Sequence, residues 1–303
     1  MLSLTEEYPN GVENMKKLPI ILLFVFSTAT SVLGADRPVD PTFLHRYLPE
    51  ITATSSDVST ETCHYKAVFG KGDSGAGIAR GVARFGEIDV DPSGACAPVE
   101  YAAEEQIYLV LDGSGELTYG KDKVPIRKND YAYLPPGITH TASASSGQPL
   151  RVIVMGFKIP SSTTITVPPK LQMANIDDVK RQTVDGHPPS VLYELLLGDT
   201  KSTRDKIAAG LVVTSLFIMD FAPGGTNGPH HHDNEEEIYL MLDGHGDMVA
   251  GGGMDGIEGR YPAKPGDAYF FRLNCTVGFY NVPDAKARIL AVRSLYPFSR
   301  HGE

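Results

Sequence analysis

The chain is 303 residues long, with 42% hydrophobic and 21% charged residues, 31 glycines and 22 prolines, a globular composition that excludes disorder for most of its length. Against 27 Lys and Arg stand 37 Asp and Glu, a formal charge of −10, so no cationic field recruits a nucleic-acid backbone or an anionic membrane. Three cysteines, Cys63, Cys96 and Cys275, are too few for a disulfide scaffold and leave room for one intrachain bridge, which Cys63 and Cys96 can form after export.

Met15-Lys16-Lys17 precedes the apolar run Leu18 to Phe26 and then small residues through Val32, Gly34 and Ala35. A basic start, a short apolar stretch and a small-residue end are the parts of a secretory signal peptide, with Val32 and Gly34 suited to positions −3 and −1 of cleavage. The apolar run is too short to span roughly 30 Å of hydrocarbon. Residues 1–34 are therefore expected to be an N-terminal extension and signal peptide, with Met15 as the working start, and the mature protein is expected to be exported, periplasmic or extracellular, with no membrane attachment after cleavage.

A repeat organises the remainder. EEQIYLVLDGSGEL from Glu104 and EEEIYLMLDGHGDM from Glu235 are identical at nine of fourteen positions at an offset of 131, and Asp89, Pro92 and Gly94 meet Asp220, Pro223 and Gly225 in the same register. Each copy is far longer than a solenoid repeat, so these are two homologous domains. The expected boundaries are 35–160 for domain 1, a polar, Pro-rich linker over 161–175, and 176–303 for domain 2; NIDDVKR from Asn175 reads as a short helical turn.

Within each copy the runs are short and rich in Val, Ile, Tyr and Phe: GIARGVARFGEIDV, EQIYLVLDG and LRVIVMGF, then AGLVVTSLFIMDF, EEIYLMLDG and ARILAVRSLYP. D-G, P-G and G-G turns punctuate them, and no long amphipathic helix is offered. The fold class is all-β, two antiparallel β-barrels or jelly-roll sandwiches in tandem.

The chemistry concentrates in the second copy, in GGTNGPHHHDNEEEIYLMLDG. Strand residues i and i+2 share a face, so His230 and His232 point together and His231 points away. Turn chemistry at Asp233-Asn234 folds the next strand back and brings Glu237 beside the two imidazoles. Two neutral nitrogens and a carboxylate form a facial set that binds a divalent metal, with Fe, Mn, Ni, Cu and Zn all compatible, and leaves coordination positions open.

This string resembles the first motif of the cupin superfamily, G-x5-H-x-H-x3,4-E-x6-G, and the chain resembles a two-domain cupin, or bicupin, of double-stranded β-helix (jelly-roll) barrels. The resemblance puts His230, His232 and Glu237 in the metal-ligand positions. A second cupin motif supplies a further His; here Arg272 stands where Pro is expected, Asn274 for Gly, Val277 for the ligand His, and Asn281 is kept. The site therefore has three protein ligands and more open positions, or a neighbour such as Tyr280 or His245 reaches the ion, or binding is weak; the first is the expectation, since an open site is what a substrate ligand needs.

In the first copy the ligand positions hold Val99, Tyr101 and Gln106, while the second motif retains Pro135, Gly137 and His140. That set does not hold a metal, so domain 1 is a scaffold or a metal-free pocket lined by Tyr101, Gln106 and His140. Arg272, near a barrel mouth, is a candidate for pairing with an anionic substrate, and Tyr239, two residues beyond Glu237, is a second candidate catalytic side chain. Glu235 and Glu236 read as solvated turn carboxylates, Cys275 as a buried small hydrophobe and His187 as solvated. VAGGGMDGIEG from Val249 is a long hairpin loop beside the site, a surface loop or a lid.

The resemblance implies either a metal-dependent enzyme acting on a small organic molecule, dioxygenase-like or isomerase- or lyase-like, or a non-catalytic binding or storage cupin with a structural metal. The partners expected are a small-molecule substrate, anionic if Arg272 takes part, and a second copy of the chain in a homo-oligomer; nucleic acid is not among them.

Overall fold

The computed structural model describes residues 42–75, 77–252 and 258–295. The expected signal peptide lies outside them, as does the centre of the glycine-rich hairpin. The described chain runs through β1 (Phe43–Tyr47), β2 (Cys63–Gly70), β3 (Val82–Val90), β4 (Glu104–Asp112), β5 (Ser114–Tyr119), β6 (Asp122–Arg127), β7 (Asp130–Leu134), β8 (His140–Ala144) and β9 (Leu150–Lys158). It continues through β10 (Gln172–Asn175), β11 (Arg181–Gln182), β12 (Val191–Asp199), β13 (Ile207–Gly210), β14 (Val213–Phe221), β15 (Glu235–Asp243), β16 (Gly246–Gly251), β17 (Glu258–Ala263), β18 (Asp267–Phe271), β19 (Thr276–Asn281) and β20 (Ala287–Leu295). The helical turn expected at NIDDVKR is a 3-10 turn, Ile176–Asp178, whose first N–H donors are met by Asn175 Oδ1 accepting from Asp177 N at 2.9 Å.

Each copy is a two-layered jelly roll. In the first, the sheet β10-β7-β4-β9-β3-β2 faces the small sheet β6-β5-β8; in the second, β1-β18-β15-β20-β14-β12-β11 faces β17-β16-β19, with β13 beside β12. The expected all-β architecture is present. Between the layers of copy 1 lie Tyr65, Ile88, Tyr108, Val110, Leu117 and Val152, and between those of copy 2 lie Tyr193, Phe217, Met219, Tyr239, Phe271 and Phe279. Cys63 and Cys96 form a disulfide in copy 1, their Cα atoms 4.9 Å apart.

Alternation along the large-sheet strands sends every second side chain the other way, and those residues are apolar too. Ile107, Leu109, Ile153, Met155 and Phe85 from copy 1 meet Ile238, Leu240, Leu290, Val292 and Phe270 from copy 2 in one buried cluster that joins the two jelly rolls back to back. Each such side chain contributes roughly 1.5–3 kcal/mol when fully buried, so the strands are stabilised from both faces.

Two carboxylates fix that interface. Glu105 accepts from the backbone N–H groups of Leu211, Val212 and Val213 at 2.7–2.8 Å and from the Tyr133 hydroxyl at 2.9 Å. Its equivalent at the 131 offset, Glu236, accepts from Arg80 N and Gly81 N at 2.8 and 2.7 Å. Each copy thus caps the entry to β3 or β14 of the other. Both carboxylates are buried, 0% and 1% exposed, which corrects the reading of Glu236 as a solvated turn residue: strand parity turns Glu104 and Glu235 into the barrels and Glu105 and Glu236 into the interface.

The copies also exchange their first strands. β1, inside the expected 35–160 domain, pairs antiparallel with β18 of copy 2, and β10, inside the expected linker, pairs with β7 of copy 1. Neither segment is marked as a strand by its sequence, because each is short and its pairing is with residues far away in the chain. Two outcomes are expected. Glu236→Ala, which strands buried N–H groups, should lower unfolding free energy by ~3 kcal/mol in urea titrations. A fragment starting at Lys170 has lost β1 and uncovers the apolar face, so it should aggregate or melt well below the intact protein; a soluble monomer with an undiminished melting temperature would contradict the interface described here.

Candidate metal centre

His230 and Val277 form a β-bridge, with His230 N donating to Val277 O at 2.9 Å and Val277 N donating back at 2.8 Å. From that anchor the chain alternates: the His231 side chain is 61% exposed, whereas that of His232 is 18% and that of Glu237, on β15, 2% exposed. The ligand atoms of His230, His232 and Glu237 all lie within 4.8 Å of one another. His230 is fixed by Nδ1–H donating to the Gly228 carbonyl at 2.8 Å, and His232 Nδ1 lies 3.6 Å from Glu235 Oε2, which leaves both Nε2 atoms for the centre.

A small cavity of about 30 Å³ surrounds this set, lined also by His187, Tyr193, Ser215, Phe217, Tyr239 and Arg293. Five buried polar atoms on its wall have no hydrogen bond: Tyr193 Oη, Ser215 Oγ, Arg293 Nε, and His232 Nε2 and Glu237 Oε2, which lie 3.3 Å from each other. Orphaned buried groups cost ~1–3 kcal/mol each. Their convergence, with two imidazoles and a carboxylate among them, fits a divalent cation and a ligand bearing oxygen atoms.

Arg293 comes from β20, where it is the register partner of both Glu237 and Ser215 and therefore shares their face. Its Nη1 donates to Glu235 Oε2 at 3.3 Å, and Glu235 also accepts from the Thr214 hydroxyl. Burial, and after it the charge of Glu237, pushes the Tyr193 and Tyr239 phenols above their ordinary range, so both keep their protons. Burial and the neighbouring His230 push the His187 imidazole down, towards its neutral form.

Of the expected site residues, His230, His232, Glu237 and Tyr239 come together, with Asn227 Nδ2 donating to the Tyr239 hydroxyl at 3.1 Å. Arg272 is not among the residues lining the cavity. It follows Phe271, which pairs with Glu237, so it is one residue out of phase with the inward face, and its N–H is taken by Thr42 O at 3.0 Å. Tyr280 and His245 line a separate, larger cleft with Asp247 and Pro262, because the inward positions of β19 belong to Val277 and Phe279. Cys275 is buried, as its parity with Val277 implies.

Sequence reading missed Arg293 and His187. The signal for Arg293 was a lone guanidinium at an inward position of ARILAVRSL, in register with Ala287, Ile289 and Ala291. No local signal marks His187, expected to be solvated, because only tertiary folding lays its turn over the barrel; its ring meets that of His230 at 5.4 Å and 90°.

The first barrel carries a closed counterpart. Arg84 on β3 faces Gly156 on β9, just as Ser215 faces Arg293, so a guanidinium enters each barrel from opposite members of the same strand pair. A Cβ on Gly156 would come within 2.7 Å of Arg84 Cγ, so the glycine makes the room. Here, however, Arg84 is bonded to Glu104 at 3.0 Å and to Asp57 and the Tyr101 hydroxyl at 2.8 Å, while His140 Nε2 and Gln106 Oε1 pair at 3.2 Å. Arg84, Gln106 and His140 are thus met by the protein's own side chains, with Tyr65 Oη left without a hydrogen bond, whereas copy 2 leaves five such atoms on one cavity wall, which favours the scaffold reading of domain 1.

The pattern of the cupin domain matches residues 86–156 and 217–293, and the chain belongs to the cupin superfamily, with two cupin domains. Among solved structures it is similar to a Pseudomonas aeruginosa protein described as glyoxylate-induced, at 16% identity and a TM-score of 0.69 over 88% of this chain and 95% of that one. It is also similar to YlbA of E. coli (15%, 0.64, 89% and 98%) and to the oxalate decarboxylase of Lactobacillus farciminis in its formate complex (14%, 0.62, 84% and 87%). An uncharacterized protein of Methanocaldococcus jannaschii is 28% identical over 58 residues, 19% of this chain and 46% of that protein's length. These likenesses show the fold, and the His-His-Glu cluster is a set able to hold a metal ion.

His232→Ala should abolish stoichiometric divalent metal in the purified protein while His231→Ala retains it, read by elemental analysis; equal loss in both would refute the alternation on which the site is built.

Proposed function

We propose that the second barrel is a metal-dependent catalytic site for a small carboxylate-bearing molecule. The observation that carries this reading is the buried Arg293 Nε, left without a hydrogen bond beside the His230, His232 and Glu237 cluster although Nη1 of the same guanidinium is paired with Glu235: an unused cationic donor next to a metal set suits an anionic oxygen. When bound, a divalent cation supplies Lewis-acid polarisation of a coordinated oxygen and keeps positions open for substrate.

The chain's own residues do the rest. Arg293 binds and orients the carboxylate through charge-assisted hydrogen bonds worth roughly 1.5–3 kcal/mol. Tyr193, its phenol held protonated by burial, donates to an oxygen that gains negative charge, and Ser215 adds a second donor from β14. Phe217, Met219 and Leu195 keep bulk water from the cavity, which strengthens each of these contacts. A volume of about 30 Å³ holds roughly two waters, so an enclosed occupant is no larger than a carboxylate group and the remainder of a substrate reaches the mouth. Donors placed for developing oxyanion charge favour isomerase- or lyase-like chemistry over a dioxygenase.

We extend the proposal to location: the protein acts outside the cytoplasm, on the support of the Lys16-Lys17 apolar leader and the Cys63–Cys96 disulfide. Secreted protein should begin at Ala35 by N-terminal sequencing.

Metal-reconstituted protein screened against small mono- and dicarboxylates should turn over at least one of them, equally well under nitrogen, and chelation should abolish the activity. Arg293→Ala should raise KM for that carboxylate on the order of 10–100-fold and leave a neutral ester unaffected, with Arg272→Ala silent. Full turnover by chelated protein would assign the metal a structural role. Oxygen-dependent turnover would return the site to the dioxygenase class.

A further inference from the structure

The position that supplies a further imidazole in the second cupin motif is Val277 here, an isopropyl group 1% exposed in the core, and the inward neighbours on β19 offer no ligand. His187 lies on the same cavity wall as His230, His232 and Glu237 but arrives from a different part of the chain, the turn between β11 and β12. We propose that His187 is a third imidazole ligand of the metal in the second barrel, taking over the coordination position that Val277 cannot fill. The inference rests on the reading of that barrel as a metal site.

Three features of the structure carry it. The first is ring geometry. Metal–nitrogen bonds of ~2.1 Å put an ion about 3.2 Å from each ring centroid, so imidazoles sharing an ion at ordinary angles have centroids roughly 4.5–5.5 Å apart. His230 and His232 are 4.9 Å apart at 85°, and His187 and His230 are 5.4 Å apart at 90°, both inside that range.

The second feature is the tether. His230 directs Nδ1 to the carbonyl of the residue two before it, Gly228, at 2.8 Å, and His187 directs Nδ1 to the equivalent carbonyl, Asp185, at 3.4 Å. That outer contact is what a metal-bound imidazole uses to fix its tautomer and present Nε2. His140 makes the same contact with Ile138 O at 2.9 Å in the first barrel, so the contact orients the ring and what Nε2 faces decides its use.

The third is delivery. The turn is anchored on both sides: β11 pairs with β12, Val184 packs on the barrel core, His187 N donates to Val184 O at 3.1 Å and Val191 N donates to Pro188 O at 3.2 Å. Gly186 sits at φ +83°, a conformation that favours glycine, and Pro188-Pro189 stiffens the exit. His187 is not one of the three residues whose donor atoms lie within 4.8 Å of one another, so its ligation requires the turn to move its ring towards the cluster.

The test is pulsed EPR on metal-free full-length protein reconstituted with Cu(II), counting coupled imidazole nitrogens, alongside a titration of Cu(II) affinity. Wild type should show three imidazoles, His187→Ala and His187→Gln two, with affinity weakened on the order of ten-fold or more and an unchanged apo melting temperature. Two imidazoles in wild type, lost in His230→Ala and His232→Ala but unaffected in His187→Ala, would overturn the role of His187 and leave the metal site standing. A wild-type spectrum without coordinated imidazole would overturn both.

Discussion

The two jelly rolls are held in register by a pair of carboxylates used as backbone caps. Glu105 and Glu236 each leave their own sheet and collect N–H groups at the start of a strand in the other copy, where a jelly roll alone would leave those donors buried and unmet. Burial pushes both carboxyls above the usual carboxylate range against the pull of these donors. Once this pair is set, the apolar faces of both large sheets meet without slippage, and β15 is pinned on one side by the interface while its other side presents Glu237 to the cavity. The precision of the metal centre is inherited from that rigid back wall.

The same arrangement accounts for a metal-free first copy. In its barrel Arg84, Gln106 and His140 are met by the protein's own side chains, with Asp57 giving Arg84 a second carboxylate beside Glu104 where Arg293 has only Glu235, and its outer face remains half of the interface. Val99, Tyr101 and Gln106 stand at the positions of the metal-ligand set while the strands and turns match those of the second copy, so this copy can serve the interface without that set.

Much of this was legible in the chain. Repetition of YLVLDG and YLMLDG, alternation in each run and the G-x5-H-x-H spacing were enough for the fold and for His230, His232 and Glu237, because all are local periodicities. What escaped was tertiary. Glu105 and Glu236 sit next to turns and look solvated until the second sheet is placed against them. His187 and Arg293 join the site from outside the motif, the first 43 residues before His230 and the second 56 residues after Glu237. Arg272 looked apt because it occupies a motif position, yet its parity turns it from the cavity.

The exchange of first strands also sets the order in which the molecule can be completed. His45 on β1 and its hydrogen-bond partner Asp267 on β18 are 222 residues apart in the chain, so the first of the described strands waits for one of the last. Contacts of such long range place a large loop-closure cost ahead of the reward, which slows folding. The first barrel, by contrast, receives β10 as soon as the chain has passed it. The strands of copy 1 are thus drawn from one continuous stretch, residues 63–175, whereas the barrel that carries His230, His232 and Glu237 needs a strand from the far end of the described chain.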